Sequence, residues 1–161
     1  MIKKYHNQIS GYESAIEMGA GIGRVSKATL LPRFKNVDLL EPAPAQIKEA
    51  ESNVPDIRKF YNMGMQEYVF EDKYDAVWLQ WCLSYLTDSD LHDFLIKTRD
   101  NLREEVDPKS KALKHGLIFV KENVSPDEFL IYKDENSIMR TEKHFNAIFE
   151  DAGFDILTQF Y

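Results

Sequence analysis

The stretch SAIEMGAGIGR, residues 14–24, decides how this chain folds. Residues 14–17 form a short run that stops at glycine-rich sequence, which is typical of a strand ending at the edge of a sheet. Gly19, Gly21 and Gly23 let the backbone bend tightly, and they let a flat or charged ligand lie against the main chain, where a Cβ would prevent it. The stretch therefore predicts a strand followed by a ligand-binding turn, with an ordinary structural turn as the alternative.

The residue that follows the third glycine narrows the class of ligand. A dinucleotide fingerprint, G-x-G-x-x-G, needs a glycine at position 24, where this chain has Arg24. Pyrophosphate binding, and with it an NAD-dependent oxidoreductase, is therefore disfavoured, although Arg24 could pair with a carboxylate. The pattern E-x-G-x-G-x-G, which begins at Glu17, suits S-adenosylmethionine (SAM), because the methionine end of SAM offers an amine and a carboxylate and no phosphate.

Predicted strands and helices alternate along the rest of the chain. Strands are predicted over residues 37–41, 57–61, 74–81, 116–123 and 154–161, and helices over residues 24–31, 43–50, 87–102 and 141–151. Residues 103–115 are predicted to be a surface loop, and residues 125–140 an irregular acidic stretch. Buried aliphatic strands that alternate with helices predict an α/β fold, a doubly wound, mainly parallel sheet with helices on both faces. Ligands of such sheets bind outside the carboxyl ends of the strands.

Composition limits the partners. The 161 residues carry 20 Lys and Arg against 27 Asp and Glu, a net charge of −7, and predict one domain over residues 1–161. Clustered positive charge is lacking, so nucleic acid is not an expected partner, whereas a basic protein segment is. No run reaches the ~18 apolar residues of a membrane helix, so no membrane partner is expected. Cys82 is the only cysteine, so we expect no disulfide, no metal site and an intracellular location, cytoplasmic and/or nuclear.

Polar side chains follow the second and third predicted strands. Glu41 ends the second strand, some twenty-two residues after Gly19, where an acidic side chain can accept hydrogen bonds from both ribose hydroxyls. A solvated strand end is the alternative for Glu41. After the third strand, Met65 could flank an adenine with its backbone and thioether, and Gln66 could offer its amide to the adenine edge. A plain surface loop is the alternative there.

The fourth and fifth strand ends carry the remaining candidates. Gln80 lies at the mouth of an apolar strand, where it could pair with polar atoms of a cofactor, and Trp81 follows directly. Trp81 could form an apolar, cation-attracting wall for a substrate, with packing in the core as the alternative. The next strand ends with Glu122 and Asn123, which bring a carboxylate and an amide to the same edge of the sheet.

Four motifs give the chain a resemblance to a known family. They are GAGIGR at residues 19–24, LQW with LTD at residues 79–88, KEN at residues 121–123 and NSIMR at residues 136–140. From about Ala15 to Tyr161 the chain resembles the protein N-terminal methyltransferases, SAM-dependent enzymes that methylate the α-amine of chains beginning Xaa-Pro-Lys. The resemblance implies a Rossmann-like class I methyltransferase fold, SAM as cofactor, S-adenosylhomocysteine as product and basic protein N-terminal peptides as partners.

The resemblance also implies a role for each candidate residue. The methionine moiety would be held by Gly19, Gly21 and Arg24, the ribose by Glu41, and the adenosine side by Met65, Gln66 and Gln80. The channel for the substrate N-terminus would be lined by Trp81, Asn123 and Ser137. Asn123 is also a candidate for the catalytic group.

Three departures from the family pattern bear on catalysis. Tyr85 stands where the family usually has a histidine that handles the proton of the amine. The family's aspartate before the Ser-x-x-x-Arg motif is replaced by Glu135, with Asp134 beside it, so either carboxylate is a candidate for the catalytic base. The family's N-terminal helical cap and its last antiparallel strand are not found, which suggests a chain truncated at both ends.

Two other functions remain compatible with these residues. A SAM-dependent methyltransferase for another acceptor would share the cofactor residues and ignore the Pro-Lys motif. A non-catalytic SAM-binding module would bind the cofactor without turnover. This alternative is favoured by Tyr85 and Glu135, which depart from the family pattern.

Overall fold

The computed structural model describes residues 2–5 and 7–160. Its strands are β1 (Ser14–Met18), β2 (Asn36–Leu40), β3 (Lys59–Tyr61), β4 (Ala76–Gln80), β5 (Glu104–Val106), β6 (Leu113–His115), β7 (Leu117–Lys121), β8 (Leu130–Tyr132) and β9 (Ser137–Met139). Its α-helices are α1 (Pro44–Asn53), α2 (Asp88–Asp100) and α3 (Glu142–Asp151), and 3-10 turns lie at Ile2–Tyr5 and Leu83–Tyr85.

A five-stranded sheet with the order β3-β2-β1-β4-β7 forms the centre of the fold. β1 pairs in parallel with β2 and β4, and β2 pairs in parallel with β3. All five residues of β1 are buried, as expected for a central strand covered on both faces. The predicted α/β class and the mainly parallel sheet are therefore confirmed.

The chain divides into two compact units. The sheet unit comprises Met1–Gln80 and Asn101–Val120, and the helix–hairpin unit comprises Trp81–Asp100 and Lys121–Tyr161. The core of the sheet unit is formed by side chains such as Leu39, Ile47 and Phe119. The assignment of residues 1–161 to one domain stays a prediction.

The helix–hairpin unit is built on contacts between α2 and α3. The buried apolar face of α2 carries Leu91, Phe94 and Leu95, and that of α3 carries Phe145 and Phe149. This agrees with the helical spacing of apolar residues that predicts α2. A two-stranded antiparallel hairpin, β8–β9, precedes α3.

Residues 24–30 are helical, one residue short of the predicted helix 24–31, and the helix is wide. Ser26–Leu30 form a π-helical turn, in which the N–H of Leu31 donates to the carbonyl of Ser26 at 2.9 Å. Leu31 caps the helix and Pro32 comes next, which cannot continue it, so the helix ends within one residue of the predicted end.

Three predicted segments are wrong. Residues 103–115, predicted to be a loop, form the antiparallel hairpin β5–β6, which Lys114 and Asp107 brace with an ion pair at 2.7 Å. Its strands are short and all three residues of β5 are exposed, so no apolar alternation marks them. The irregular stretch 125–140 contains the hairpin β8–β9. The predicted strand 154–161 has no strand structure over residues 154–160, where Leu157 and Phe160 are exposed, and Tyr161 lies outside the described residues.

Candidate active site

The glycine turn follows β1 directly. Gly19, Gly21 and Gly23 have φ angles of 66°, 57° and 80°, in the left-handed region that favours glycine. A Cβ on Gly23 would lie 2.5 Å from the side chain of Val54, at the end of α1. The backbone at position 23 is therefore too close to Val54 for any residue other than glycine. The structure thus has the turn that the sequence predicts after β1, and the role of this turn in binding a ligand stays a prediction.

Glu41 ties this turn to the end of β2. One carboxylate oxygen accepts a hydrogen bond from the N–H of Gly21 at 2.8 Å, and the other accepts one from the N–H of Ala43 at 2.9 Å. The residue is buried, with 7% of its surface exposed, so the alternative of a solvated strand end is wrong. Each oxygen keeps a second lone pair, which a ribose hydroxyl could use. The two strongest sequence predictions, the turn and Glu41, thus meet in one hydrogen-bonded unit.

Glu17 belongs to the same turn and is absent from the sequence-predicted site. One of its oxygens accepts hydrogen bonds from the N–H and the hydroxyl of Ser26, at 2.7 and 2.6 Å. Burial raises the pKa of Glu17 to about 7, while the bonds from Ser26 and the charge of Arg24 act in the opposite direction. Glu17 fixes the start of the helix after the turn. The sequence feature that could have identified Glu17 is the glutamate that begins the pattern E-x-G-x-G-x-G.

The loop after β3 is held to the end of β2 by Asn62. The Asn62 side-chain amide donates to the carbonyls of Glu41 and Pro42 at 2.9 and 3.0 Å, a role that the sequence did not reveal. Further along the loop Met65 is buried, with 8% exposed, and Gln66 is exposed. The loop is therefore anchored beside Glu41, and its two candidate residues differ sharply in exposure.

The chain leaves β4 in a strained conformation. Gln80, the last residue of β4, is half-buried. Trp81 follows with a φ of 55°, which is unusual for a bulky residue, and its N–H donates to the carbonyl of Lys121 at 2.9 Å. The residue is 47% exposed, and the Lys121 ammonium lies 4.4 Å from the centroid of the Trp81 ring. Trp81 is therefore not a core residue, and its ring is able to attract a cation.

Glu122 anchors the 3-10 turn that follows Trp81. One carboxylate oxygen accepts hydrogen bonds from the N–H groups of Cys82 and Leu83, at 2.6 and 2.7 Å. Burial raises the pKa of Glu122, and these backbone bonds oppose that rise. Tyr85 ends the turn with 62% of its surface exposed, and Asn123, next to Glu122, is exposed. The sequence placed Glu122 at this edge but did not reveal that it holds the turn carrying Tyr85.

The candidate base residues lie in the turn of the β8–β9 hairpin. Asp134 and Glu135 are both exposed, and the N–H of Glu135 donates to the carbonyl of Tyr132 at 3.2 Å. Asn136 has a φ of 49°, which the tight turn requires. Ser137 begins β9 and is buried, with 8% exposed. The hairpin thus presents two carboxylates to solvent and keeps the candidate serine inside the helix–hairpin unit.

The described residues contain no group of three or more His, Cys, Asp or Glu side chains that could hold a metal ion. Within residues 2–5 and 7–160, no helix has both the length and the apolar character that crossing a membrane requires.

The fold and the glycine turn define the class of protein. A parallel sheet, a glycine bend after β1 and an acidic residue after β2 together form a Rossmann-like class I SAM-dependent methyltransferase fold. A SAM-dependent methyltransferase from Leishmania major superposes with a TM-score of 0.78 at 31% identity, covering 92% of this chain and 57% of that one. A SAM-dependent methyltransferase from Clostridium acetobutylicum superposes with a TM-score of 0.76 at 13% identity and supports the fold alone.

The family follows from a match over nearly the whole chain. Residues 1–160 match the model of the AdoMet-dependent proline di-methyltransferases, and the chain belongs to this family, whose cofactor is SAM. It is 39% identical to alpha N-terminal protein methyltransferase 1 of Dictyostelium discoideum, over 89% of this chain and 51% of that protein. It is 31% identical to N-terminal Xaa-Pro-Lys N-methyltransferase 1-B of Xenopus laevis, over 94% of this chain and 66% of that protein. The predicted family is confirmed, and the chain spans 51% to 66% of the length of these relatives.

Proposed function

We propose that this chain transfers methyl groups from SAM to the α-amine of protein N-termini of the Xaa-Pro-Lys type. The observation that carries the proposal is the bridge that Glu41 makes to the glycine turn, in a chain that belongs to the proline di-methyltransferases. The names of the relatives from Dictyostelium and Xenopus support the acceptor, since they describe methylation of protein N-termini.

The residues of the sheet unit fit the cofactor. Left-handed backbone at Gly19 and Gly21, with no Cβ in the way, suits the methionine moiety, and the exposed Arg24 guanidinium suits its carboxylate. Glu41 would accept hydrogen bonds from the ribose hydroxyls. The adenosine side would be held by Met65, Gln66 and Gln80. Bound SAM supplies an electrophilic methyl group on a sulfonium, so the rest of the site has to supply a neutral amine in line with it.

The residues of the helix–hairpin unit fit the acceptor. An α-amine has an ordinary pKa of about 7.7–8.0, so near neutral pH most of it carries a proton that must be removed. Asp134 or Glu135 would accept this proton, directly or through water, and Tyr85 would orient the amine by a hydrogen bond. Trp81 and its neighbours in the proposed channel, Asn123 and Ser137, would line the path of the substrate N-terminus.

Charge supports a basic acceptor. Asp127, Glu128 and Asp134 are exposed on the segment around β8, and the chain has a net charge of −7. These carboxylates would attract a lysine at the third position of the substrate and raise the rate of encounter at low salt.

The test incubates the full chain with methyl-labelled SAM and a hexapeptide that begins Xaa-Pro-Lys. We expect label on the α-amine of this peptide, none on the same peptide with an acetylated N-terminus, and much less on a peptide with alanine in place of the proline. Transfer to a different acceptor, regardless of the Pro-Lys sequence, would contradict the peptide assignment. Cofactor binding without transfer to any acceptor would favour a non-catalytic SAM-binding module.

A further inference from the structure

Arg140 is a fully buried arginine in the helix–hairpin unit. It is the largest fully buried side chain among the described residues, and none of its surface is exposed. Its Nε donates to the Asp88 carboxylate at 2.7 Å, and its two terminal nitrogens donate to the carbonyls of Leu83 and Leu86, at 3.2 and 2.6 Å. A buried guanidinium is tolerated only with such partners, and its planar fork fixes their relative positions.

These partners belong to the turn that carries Tyr85 and to the start of α2. Leu83 opens the 3-10 turn, Leu86 caps it, and Asp88 is the first residue of α2. Arg140 itself follows β9 directly, and its carbonyl accepts a hydrogen bond from the N–H of Ser125 at 2.9 Å. One side chain thus joins the base of the β8–β9 hairpin to the turn.

The acidic partner of Arg140 is itself held in place. Asp88 also receives a hydrogen bond from the His144 ring at 2.8 Å. Partial burial acts to raise the pKa of Asp88, but the bonds from Arg140 and His144 outweigh it and hold this pKa below its usual range. The carboxylate is therefore ionised at neutral pH, and its ion pair with Arg140 is intact.

Two charged side chains anchor the Tyr85 turn through its backbone. Glu122 accepts the N–H groups at its start, and Arg140 donates to carbonyls at its start and end. Tyr85 is 62% exposed, so its ring has little packing of its own to fix it. The position of Tyr85 relative to the hairpin therefore depends on the buried Arg140 and the half-buried Glu122.

We propose that Arg140 is a positioning residue that holds the Tyr85 turn in register with the β8–β9 hairpin, and so with Asp134, Glu135 and Ser137. The inference rests on the proposed function, because it assigns catalytic roles to what Arg140 joins. A displacement of about 1 Å in such an arrangement can lower turnover by roughly a hundredfold.

The test is a double-mutant cycle of Arg140→Lys with Tyr85→Phe in the full chain. A lysine has one compact ammonium and cannot reach three separated acceptors. We expect Arg140→Lys to lower kcat roughly 10- to 100-fold, with the KM for SAM and the Kd for S-adenosylhomocysteine changed by less than about twofold. In the Tyr85→Phe background the same substitution should lower kcat by less than about threefold, since Tyr85 is the group that it displaces. An equal factor in both backgrounds would overturn the proposal.

Hydrogen exchange provides a readout that does not depend on turnover. Amides of residues 82–87 should exchange at least about tenfold faster in Arg140→Lys, while those of β1 and β2 stay unchanged. Unchanged exchange at residues 82–87 would overturn the proposal even if the chain transfers no methyl group, so the two failures can be distinguished.

Two further variants distinguish a specific effect of Arg140→Lys from a general loss of folding. Arg99→Lys is the control, because Arg99 is an arginine of the same unit that donates to the carbonyl of Ala152, at 2.9 Å, and to the Asp100 carboxylate. It should leave both kcat and exchange at residues 82–87 unchanged. If Arg140→Lys does not fold, Asp88→Asn removes the charge of the carboxylate that Arg140 and His144 share, and it should give the same local exchange increase in weaker form. Wild-type exchange in Asp88→Asn would then count against the proposal.

Discussion

The two units of this chain differ in how far their acidic and candidate catalytic side chains are exposed to solvent. In the sheet unit, Glu17 and Glu41 are buried and each is satisfied by backbone N–H groups of the glycine turn or its neighbours. In the helix–hairpin unit, Asp134, Glu135 and Tyr85 are exposed. The candidate ribose-binding residue Glu41 is thus already held by hydrogen bonds within the sheet unit, whereas the candidate catalytic groups of the helix–hairpin unit are exposed to solvent.

This difference predicts where substitutions act. Changes in the sheet unit should alter cofactor affinity and stability, because they remove bonds that the folded chain already makes. Changes at the exposed groups of the helix–hairpin unit should alter turnover alone, because the groups are needed only by the reacting amine.

The largest expected effect is on turnover, from the double substitution Asp134→Asn with Glu135→Gln. Removing both candidate proton acceptors should lower kcat by about 10² or more. The Kd for S-adenosylhomocysteine should not change. Steady-state kinetics with a Xaa-Pro-Lys peptide and calorimetric binding give the two numbers. Turnover equal to that of the wild type would remove both residues as candidates for the base. It would also contradict the expectation that the exposed groups of the helix–hairpin unit act on turnover.

The next effect is on cofactor affinity, from Glu41→Ala. The loss of charge-assisted hydrogen bonds, and of the bridge to Gly21, should weaken binding by roughly 1.5–3 kcal/mol, about 10- to 150-fold in Kd. Glu13→Ala is the control, because Glu13 is a half-exposed carboxylate of the same unit that pairs with Lys35. An unchanged Kd for S-adenosylhomocysteine in Glu41→Ala would refute the ribose role.

A pH-dependent effect on stability is expected from Glu17→Gln. Burial raises the pKa of Glu17 from 4.5 to about 7 in the folded state. Between these values the folded state holds a proton that the unfolded state has lost, so wild-type stability falls as pH rises through this window. Gln cannot ionise, so the free energy of unfolding of Glu17→Gln, relative to wild type, should increase by about 2 kcal/mol from pH 5 to pH 8.

Urea denaturation of both proteins without cofactor, at the two pH values, measures this increase. Glu13→Gln serves as the exposed control and should show no such trend. A gap between Glu17→Gln and wild type that is the same at pH 5 and pH 8 would show that Glu17 ionises as an ordinary surface carboxylate does.

The smallest expected effect is on the stability of the helix–hairpin unit, from Thr141→Ala. The Thr141 hydroxyl accepts the N–H of His144 at 3.1 Å and caps α3, so its removal should cost about 1 kcal/mol. Cofactor affinity should be unchanged. Thr158→Ala, at an exposed site outside any helix, is the control. Loss of cofactor binding in Thr141→Ala would contradict the proposal that the cofactor is held by residues of the sheet unit.

The sequence predicted the sheet unit better than the helix–hairpin unit, for physical reasons. The glycine turn and Glu41 lie at strand ends marked by buried aliphatic runs, so local sequence locates them. In the helix–hairpin unit, the sequence did not predict the hairpin β8–β9 within residues 125–140. The sheet unit has one error of this kind, the hairpin β5–β6, because the residues of β5 are all exposed and show no pattern of burial. Residues 154–160 show the reverse error, since their apolar side chains favour a strand that has no partner among the described residues.

The residues that organise the site were the hardest to predict. Glu122 bonds to backbone groups some 40 residues away, and Arg140 to carbonyls 54 and 57 residues away. Any residue type can supply a backbone N–H or carbonyl. A hydrogen bond from a side chain to distant backbone therefore does not restrict the partner's residue type, and one sequence cannot reveal it. The candidate side chains could be proposed from the sequence because each lies at or near a predicted strand end or one of the four motifs.

A crystal structure of the full chain with S-adenosylhomocysteine tests the central claim most directly. The account predicts an adenosyl ligand whose two ribose hydroxyls both donate to the Glu41 carboxylate and whose amino acid end lies on the main chain of the bend after β1. An adenosyl group bound elsewhere on the protein, or a sugar held without Glu41, would contradict it.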